Sequence, residues 1–192
     1  MQPPQVILPP KLLIVDVGAN IGASTVRFAN QFPKASIFAI EPLRRNFERL
    51  SFNTIEYDNI TALEYALGAD NRRVGIQDQS TIRSEWQAQV HNDFNSNSAE
   101  VEQIDMTTLL NRYQISHIDL LKINVEGYET EILKTFGSWH RKVEVIAIAI
   151  RSSVNFESIG NSMNSLFEFR PTSDFCYHIA ENRILWSFPR VP

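Results

Sequence analysis

The chain has 192 residues, a length that fits one domain with a sizeable hydrophobic core. Hydrophobic residues make up 43% and charged residues 21%, which is typical of an ordinary globular protein and not of a disordered or membrane protein. The formal net charge is −4, so there is no electrostatic reason to expect a nucleic-acid partner, whose binding depends on basic surface.

The cysteine content and the start of the chain bear on where the protein works. Cys176 is the only cysteine, so an internal disulfide is impossible and we expect a reducing, cytoplasmic location. Residues 1–11 are rich in proline and lack the basic segment and apolar run of a signal peptide, so we expect a stiff leader. No apolar run approaches the length of a membrane-spanning helix. The sequence thus predicts a single domain over residues 1–192 without a membrane span.

The first informative stretch runs from a strand through a glycine turn into a helix. Residues 12–15 are apolar without alternation, which favours a strand buried on both faces of a parallel sheet. Gly18 and Gly22 allow the following turn to bend sharply and to lie close to a ligand. The next helix would point its free N–H groups and its positive dipole end at the same place. This arrangement predicts a nucleotide pocket, the alternative being only a tight connection.

A second strand ends in an acidic residue at the spacing of a nucleoside site. Residues 36–40 form this strand and Glu41 follows, about 20 residues after the turn, where doubly wound folds place the acceptor for ribose hydroxyls. The phosphate pattern G-x-G-x-x-G is not matched, because Asn20 and Ala23 occupy two of its glycine positions. Asp16 would repel a diphosphate and attract an ammonium group. These features favour an adenosine-type ligand with a cationic amino-acid tail over a dinucleotide.

The next elements follow from apolar spacing and from prolines. A helix ended by Pro33 is predicted after the turn, and a second helix is opened by Pro42. On the second helix Asn46 stands away from the apolar face, near the mouth of the pocket. Residues 59–68 predict a third strand, and residues 74–76 predict a short extra strand after a turn.

A long polar segment separates these elements from the rest of the chain. Residues 77–103 have little periodicity and much Ser, Asn and Gln, which is long for a plain connection in a compact domain. Trp86, His91 and Phe94 lie inside it. Two interpretations are equally supported: a surface loop pinned by an aromatic anchor, or a mobile lid over the substrate. Asp105, just beyond the segment, is placed to cap a helix.

Lys122 is an unusual residue in a strand that otherwise belongs in the core. Residues 118–126 form this strand, and strand alternation puts Lys122, Asn124 and Glu126 on one face. A lysine in a core strand is costly unless its charge is paired, and either Glu126 or Asp16 could pair it. The ion pair could be structural or catalytic, since perturbed charges mark both kinds of site.

The remaining patterns complete an α/β fold. A helix that Gly137 ends precedes a fifth buried strand at residues 143–150. A helix stopped by Pro171 follows, and residues 175–179 and 184–188 predict a closing hairpin. Strands alternating with helices predict a doubly wound, seven-stranded, mostly parallel sheet with a C-terminal antiparallel hairpin.

Several motifs resemble, in their order along the chain, those of the FkbM family of S-adenosylmethionine-dependent methyltransferases. They are residues 16–22 (DVGANIG), Glu41-Pro42 with Asn46, residues 66–68 (ALG), residues 104–105 (ID) and residues 121–129 (LKINVEGYE). The resemblance implies a class I methyltransferase (Rossmann-like) fold and S-adenosylmethionine as the cofactor. For most members it also implies transfer of a methyl group to a hydroxyl oxygen.

The same resemblance assigns roles to individual residues. It places Asp16, Gly18, Asn20 and Gly22 around the methionine part of the cofactor and Glu41 at the ribose. It places Glu64, Tyr65 and Ala66 beside the adenine, and Asn124 and Glu126 so that they face the reacting methyl group. Asn46, near the mouth of the pocket, completes the cofactor set.

Two positions depart from the family pattern. The family usually has Asp where this chain has Asn124, and an acidic residue about where Ala149 stands. Asn124 can hydrogen-bond but cannot take a proton or supply an anionic metal ligand, so Glu126 is the best remaining base. We predict that Glu126 deprotonates the acceptor hydroxyl, that Lys122 tunes its charge and that Asn124 orients the acceptor; we assign no metal site.

The leading interpretation is therefore an O-methyltransferase of small molecules or glycans. The departures at Asn124 and Ala149 leave open a protein of the same fold that binds the cofactor without catalysis. A nicotinamide-dependent oxidoreductase is a third possibility, disfavoured by the missing G-x-G-x-x-G pattern.

Overall fold

The computed structural model describes residues 12–78, 88–91, 99–125, 127–149, 168–171 and 176–179. The strands in these residues are β1 (Leu13–Val17), β2 (Ser36–Ile40), β3 (Ile60–Leu63), β4 (Ala66–Gly68), β5 (Arg72–Asp78), β6 (Ala88–His91), β7 (Ala99–Asp105), β8 (Ile118–Ile123), β9 (Val143–Ile148), β10 (Glu168–Pro171) and β11 (Cys176–Ile179). The helices are α1 (Ala23–Gln31), α2 (Arg44–Thr54), α3 (Met106–Arg112), α4 (Glu129–Leu133) and α5 (Phe136–Trp139). None of these helices is long and apolar enough to cross a membrane.

Seven strands form the main sheet, in the order β10-β11-β9-β8-β1-β2-β3. The five strands from β9 to β3 run parallel to one another. Strand β11 runs antiparallel to both β9 and β10. This topology confirms the predicted mostly parallel, seven-stranded sheet with an antiparallel hairpin near the C-terminus.

Apolar clusters cover both faces of this sheet. Ile14 packs on one face with Phe28 of α1. Val15 follows it, so its side chain points to the other face, where it belongs to a cluster with Leu109 of α3. Ile14 and Val15 have no exposed surface. The lack of alternation in this part of the sequence is thus explained by helices on both sides of β1.

The predicted caps and helix ends are largely confirmed. Oδ1 of Asp105 accepts a hydrogen bond of 2.6 Å from the Thr108 amide at the start of α3. Helix α1 ends at Gln31, shortly before Pro33, because proline cannot continue a helix. Leu50 on α2 has no exposed surface and packs with Ala39 of β2, so the predicted second helix lies on the sheet through its apolar face.

A second sheet of four strands, in the order β4-β7-β5-β6, was not predicted. The predicted third strand, residues 59–68, is divided at Glu64 and Tyr65 into β3 in the main sheet and β4 in the second sheet. The predicted strand at residues 74–76 is the middle of the longer β5. The division was missed because the partner of β4 is β7, which lies far along the chain where no local pattern reveals the pairing.

Part of the segment predicted as a loop or lid is in fact strand. Residues 88–91 form β6, and residues 99–105 form β7, which pairs with both β4 and β5. The prediction of an irregular segment over residues 77–103 is therefore wrong for these strands. Trp86 and Phe94 lie outside the described residues, and the lid function stays a prediction.

Two predictions near the C-terminus are also wrong in detail. Gly137 lies inside α5 instead of ending a helix, and the predicted helix before it is divided into α4 and α5. A helix was predicted to stop at Pro171, but residues 168–171 form β10, at the edge of the main sheet, where a missing N–H is tolerated. Strand β10 pairs with β11 to form the hairpin, and the predicted hairpin strand at residues 184–188 lies outside the described residues.

Candidate functional site

The carboxyl ends of the three central strands meet at one edge of the main sheet. Val17, the last residue of β1, is in register with Ile40 of β2 and with Ile123 of β8. The chain turns away immediately after each of them, so Gly18, Glu41 and Asn124 converge there. Ligands of doubly wound folds bind at this edge, and most of the predicted site residues lie on it.

The turn after β1 can be built only with glycine at its first position. Gly18 has φ +71°, and a Cβ there would lie 2.1 Å from the backbone oxygen of Asn124. Gly22 has φ +94°, and a Cβ there would lie 2.9 Å from Cδ1 of Leu50. Asn20 also has a positive φ, 54°, which asparagine tolerates better than most residues. The turn therefore packs directly against the end of β8 and leaves no room for a side chain at position 18 and little at position 22.

Asp16 and Lys122 form an ion pair beneath this turn. Nζ of Lys122 lies 2.6 Å from Oδ1 of Asp16 and donates a hydrogen bond of 3.0 Å to the Gly18 carbonyl. The other oxygen of Asp16 accepts hydrogen bonds from Ser24 Oγ at 2.7 Å and Thr25 Oγ1 at 2.8 Å. Of the two partners that the sequence left open for Lys122, the structure shows Asp16. The pair ties β1, β8 and the first turn of α1 together.

The environment of Asp16 limits what this carboxylate can contact directly. Asp16 has no exposed surface, and both of its oxygens are engaged by protein groups. Its charge is offset by Lys122, so its clearest effect on the site is to hold the turn in place. Its expected contact with the methionine part of the cofactor stays a prediction.

Glu41 is the buried carboxyl at the tip of β2. Its Oε2 accepts a hydrogen bond from the Asn20 amide at 2.9 Å, and its Oε1 accepts from the Leu43 amide at 3.1 Å and from Asn46 Nδ2 at 3.3 Å. Burial raises the pKa of Glu41 above its ordinary value of 4.5, while these hydrogen bonds and the charge of Lys122 act in the opposite direction. Glu41 thus joins the glycine turn to the start of α2.

Asn46 lies directly beside Glu41 and is 1% exposed. Its Oδ1 accepts no hydrogen bond from the part of the chain that the structure describes. A buried acceptor without a donor is uncommon and calls for an explanation such as a bound ligand or water. Together with the turn at Gly18 and the carboxyl of Glu41, this free acceptor fits a ligand that brings hydroxyl donors, as the ribose of S-adenosylmethionine does.

Of the three residues predicted beside the adenine, Glu64 and Tyr65 lie between β3 and β4, and Ala66 is the first residue of β4. Oε2 of Glu64 accepts a hydrogen bond of 2.7 Å from Arg44 Nη1 at the start of α2. The hydroxyl of Tyr65 accepts hydrogen bonds from Arg112 Nη1 at 3.0 Å and from the Tyr113 hydroxyl at 3.4 Å, so this side chain is held against α3. Ala66 is buried in β4.

Burial and the neighbouring Tyr65 raise the pKa of Tyr113 to about 12, so this phenol is neutral near pH 7 and can keep donating to the Tyr65 hydroxyl. The Tyr65 hydroxyl is thus held by two donors on the side of α3. The contact of residues 64–66 with the adenine is not tested by this arrangement and stays a prediction.

The predicted acceptor side lies at the end of β8. The Asn124 amide donates a hydrogen bond of 2.9 Å to the Val17 carbonyl, which places Asn124 next to the glycine turn, and the side chain is half-buried. The Ala149 amide donates a hydrogen bond of 2.9 Å to the Ile123 carbonyl, so Ala149 lies at the same edge. Glu126 lies outside the described residues. The predicted catalytic roles of Lys122, Asn124 and Glu126 are therefore not tested by these contacts.

A polar network near this edge was not anticipated from the sequence. The Tyr128 hydroxyl donates a hydrogen bond of 2.6 Å to Oε1 of Gln103, which has no exposed surface. Burial raises the pKa of Tyr128, whereas its hydrogen bond with Arg72 lowers it. A Cβ at Gly68 would lie 2.3 Å from Cδ of Gln103, so this glycine makes room for the amide. The one signal in the sequence was a glutamine between the apolar residues Val101 and Ile104, both of which are buried in β7.

Comparison with known proteins identifies the family. The family described as Methyltransferase FkbM domain matches residues 16–171, which is more than half of the chain. The hexuronic acid methyltransferase AglP of Haloferax volcanii is 26% identical, over 73% of this chain and 56% of the relative. The methyltransferase sdnD of Sordaria araneosa is also 26% identical, over 69% of this chain and 63% of the relative. The chain thus spans less than two thirds of the length of either relative.

A similar fold is found in solved structures. The structure of a fibrillarin/Nop5p complex superimposes with a TM-score of 0.55 at 16% identity, covering 92% of this chain and 75% of that one. At this identity the likeness concerns the fold alone, and it agrees with the predicted class I methyltransferase architecture. The family match covers the glycine turn, Glu41 and the end of β8 in one continuous stretch. The chain therefore belongs to the FkbM methyltransferase domain family, whose methyl donor is S-adenosylmethionine.

Proposed function

We propose that the protein is an S-adenosylmethionine-dependent O-methyltransferase that acts on a hydroxyl group of a small molecule or glycan. The observation that carries this proposal is the placement of Glu41. Its buried carboxyl lies at the tip of β2, bonded to the glycine turn through Asn20 and to α2 through Asn46. This is where a doubly wound fold receives a nucleoside.

The cofactor would lie across the ends of β1, β2 and β8. In this proposal Gly18, Asn20 and Gly22 surround the methionine part, with Asp16 holding the turn from below. Glu41 and Asn46 bind the ribose. The adenine lies beside Glu64, Tyr65 and Ala66.

The bound cofactor supplies an activated methyl group on a sulfonium centre. The main tasks of the chain are then to align the acceptor oxygen with that group and to exclude water. The ion pair of Lys122 with Asp16 serves the first task, because it fixes the Gly18 carbonyl and the first turn of α1. Lys122 would act on the reaction through this turn and through its positive charge.

An acceptor hydroxyl must also lose its proton as the new bond forms. We assign this step to Glu126, which follows Asn124 by two residues in the sequence. Asn124, next to the glycine turn, would orient the acceptor by hydrogen bonding. Replacement of Glu126 by Gln should leave cofactor binding intact and remove most of the turnover. Unchanged turnover would exclude Glu126 as the base.

The acceptor class is supported by one relative. AglP is named as a hexuronic acid methyltransferase, and it is 26% identical to this chain over 73% of this chain and 56% of AglP. Uronic acids and their glycosides are therefore the first acceptors to test. The acidic net charge of −4 gives no support to a nucleic-acid acceptor, which needs basic surface.

Binding of the demethylated product, S-adenosylhomocysteine, tests the cofactor part of the proposal. At about 100 times the dissociation constant it should stabilise the fold by about 2.7 kcal/mol. For a domain of this size that raises the melting temperature by roughly 5–11 °C. NAD at the same concentration should produce a much smaller shift. A larger shift with NAD would favour a nicotinamide-dependent oxidoreductase instead.

Transfer of a labelled methyl group from S-adenosylmethionine to uronic acid glycosides and other sugars tests the reaction. Label in the acceptor supports the proposal. The second candidate function is a cofactor-binding protein without catalysis, which the neutral side chains of Asn124 and Ala149 at the acceptor edge favour. Binding of the product without transfer to any member of a broad acceptor panel would select that candidate.

A further inference from the structure

We infer that Asn46 provides the second acceptor for the cofactor's ribose, through Oδ1, and that Glu41 accepts only one of the two ribose hydroxyls. This inference rests on the proposed function and assigns individual atoms within its nucleoside site. It follows from the hydrogen bonds that the two side chains already make.

Glu41 has little accepting capacity left. A carboxylate offers about four lone-pair positions. The Leu43 amide and Asn46 Nδ2 occupy Oε1, and the Asn20 amide occupies Oε2. About one position therefore remains, on Oε2, while a ribose presents two neighbouring hydroxyl donors. A second acceptor is needed nearby if both hydroxyls are to be bound.

The orientation of the Asn46 amide is fixed by its neighbour. An ionised carboxylate can only accept hydrogen bonds, so the NH₂ group of Asn46 must face Glu41, and its Nδ2 lies 3.3 Å from Oε1. Oδ1 is bonded to the same carbon and therefore lies close to the carboxylate. It accepts no hydrogen bond from the described part of the chain, although Asn46 is 1% exposed. Such an acceptor is costly to leave unpaired.

The backbone holds this arrangement ready for a ligand. The Asn46 amide donates a hydrogen bond of 2.9 Å to the Leu43 carbonyl, which places the residue in the first turn of α2. Leu50, one turn further, is fully buried and fixes α2 against the glycine turn. Both Glu41 and Asn46 are nearly closed to water, so a ribose must displace part of their surroundings. The hydrogen bonds that it makes to the remaining Oε2 position and to Asn46 Oδ1 offset that cost.

The test compares S-adenosylhomocysteine with its 2′-deoxy and 3′-deoxy analogues, using calorimetric dissociation constants for the complete chain. In the wild-type protein each deoxy analogue should bind more weakly than S-adenosylhomocysteine. The analogue that lacks the hydroxyl bound by Asn46 should bind about fivefold more weakly, because that acceptor is neutral. The analogue that lacks the hydroxyl bound by Glu41 should lose more affinity, because that acceptor is charged. In Asn46→Leu the discrimination against one analogue should fall to about onefold. In Glu41→Gln the discrimination against the other analogue should shrink.

Asn59→Leu is the matched control. Asn59 donates through Nδ2 to the Ala35 carbonyl at 2.9 Å, just before β3 and away from the candidate site. The Asn59→Leu variant should therefore discriminate against both deoxy analogues as the wild type does. If Asn46→Leu still discriminates against both deoxy analogues as the wild type does, the inference is overturned, although binding of S-adenosylhomocysteine still supports the proposed function. Wild-type discrimination against only one analogue would also overturn it, without relying on a variant that must fold. If the wild-type protein binds no S-adenosylhomocysteine at all, the proposed function itself fails and the inference falls with it.

Discussion

Nζ of Lys122 lies 2.6 Å from Oδ1 of Asp16, across the neighbouring parallel strands β8 and β1. The two residues are in register, so their side chains leave the sheet on the same face. Asp16 has no exposed surface and the Lys122 side chain is 13% exposed. The desolvation of both charges offsets much of their attraction, but the loss of one partner leaves the other charge buried. The glycine turn above therefore depends on the pair being complete.

Lys122→Met should lower the free energy of unfolding by about 3–5 kcal/mol, because it leaves the carboxylate of Asp16 buried without a countercharge. Urea denaturation of the two proteins measures this difference. The double variant Asp16→Asn/Lys122→Met should be less destabilised than Lys122→Met alone, since no unpaired charge remains.

Lys134→Met is the control for this experiment. Lys134 pairs with Glu131 on α4, and its side chain is 63% exposed. An exposed pair contributes at most about 1 kcal/mol. A loss in Lys122→Met as small as in Lys134→Met would contradict the assignment of a buried pair.

Gly18→Ala should abolish most binding of S-adenosylhomocysteine. The new methyl group would lie 2.1 Å from the backbone oxygen of Asn124, so the turn or the end of β8 must move. Gly127→Ala is the matched control, because Gly127 also has a positive φ, +76°, but no described atom lies within 4 Å of the place that its new methyl group would take. Gly127→Ala should cost roughly 1–2 kcal/mol of stability from backbone strain and retain binding. Equal binding constants for the two variants would show that the Gly18 turn is not part of the cofactor site.

Cofactor affinity should rise with pH through the titration of Glu41. Burial raises the pKa of this carboxyl above 4.5, and ribose hydroxyls donate to its ionised form. The ligand therefore binds the deprotonated protein more tightly, and affinity should fall as the pH is lowered through the folded-state pKa. Calorimetric titrations from pH 4.5 upward measure this dependence, and Glu41→Gln should lack it. A wild-type profile that matches the Gln variant would exclude Glu41 as a ligand group.

The same carboxyl has the opposite effect on the stability of the ligand-free protein. Because its folded-state pKa is raised, the folded protein binds a proton more tightly than the unfolded chain does. The contribution of Glu41 to the free energy of unfolding is therefore greatest at low pH and falls as the pH rises from 4.5 through the folded-state pKa. Relative to the wild type, Glu41→Gln should gain stability over that range in denaturant titrations. A constant difference between the two proteins would show that the pKa is not raised.

Tyr128→Phe should lower the free energy of unfolding by about 1–3 kcal/mol. The change removes the donor to Oε1 of Gln103, which has no exposed surface and would keep an unpaired acceptor. Tyr57→Phe is the control, because the Tyr57 hydroxyl donates to Asn30 at 3.3 Å in an exposed position and its loss should be nearly neutral. Thermal denaturation of both variants measures the difference. Similar melting temperatures for the two would mean that the hydrogen bond between Tyr128 and Gln103 does not stabilise the fold.

The local patterns of the sequence determined the central layer of the fold. Residues 12–15 and 37–40 are apolar runs bounded by turn signals, and both contribute to buried parallel strands in the structure. Asp105 was identifiable as a helix cap, because a cap involves residues a few positions apart. Glu41 was identifiable as a site candidate, because its position at the tip of a strand follows from the same short-range pattern.

The tertiary structure alone decided which distant groups meet. The pairing of β4 with β7 and the choice of Asp16 as the partner of Lys122 depend on strands that are far apart in the sequence. The hydrogen bond of Tyr128 to Gln103 likewise joins the start of α4 to a strand of the second sheet. Local propensity and periodicity describe only the conformation and the buried face of each segment. Strand order and side-chain partners are set by the packing of the whole chain, so no local pattern contains them.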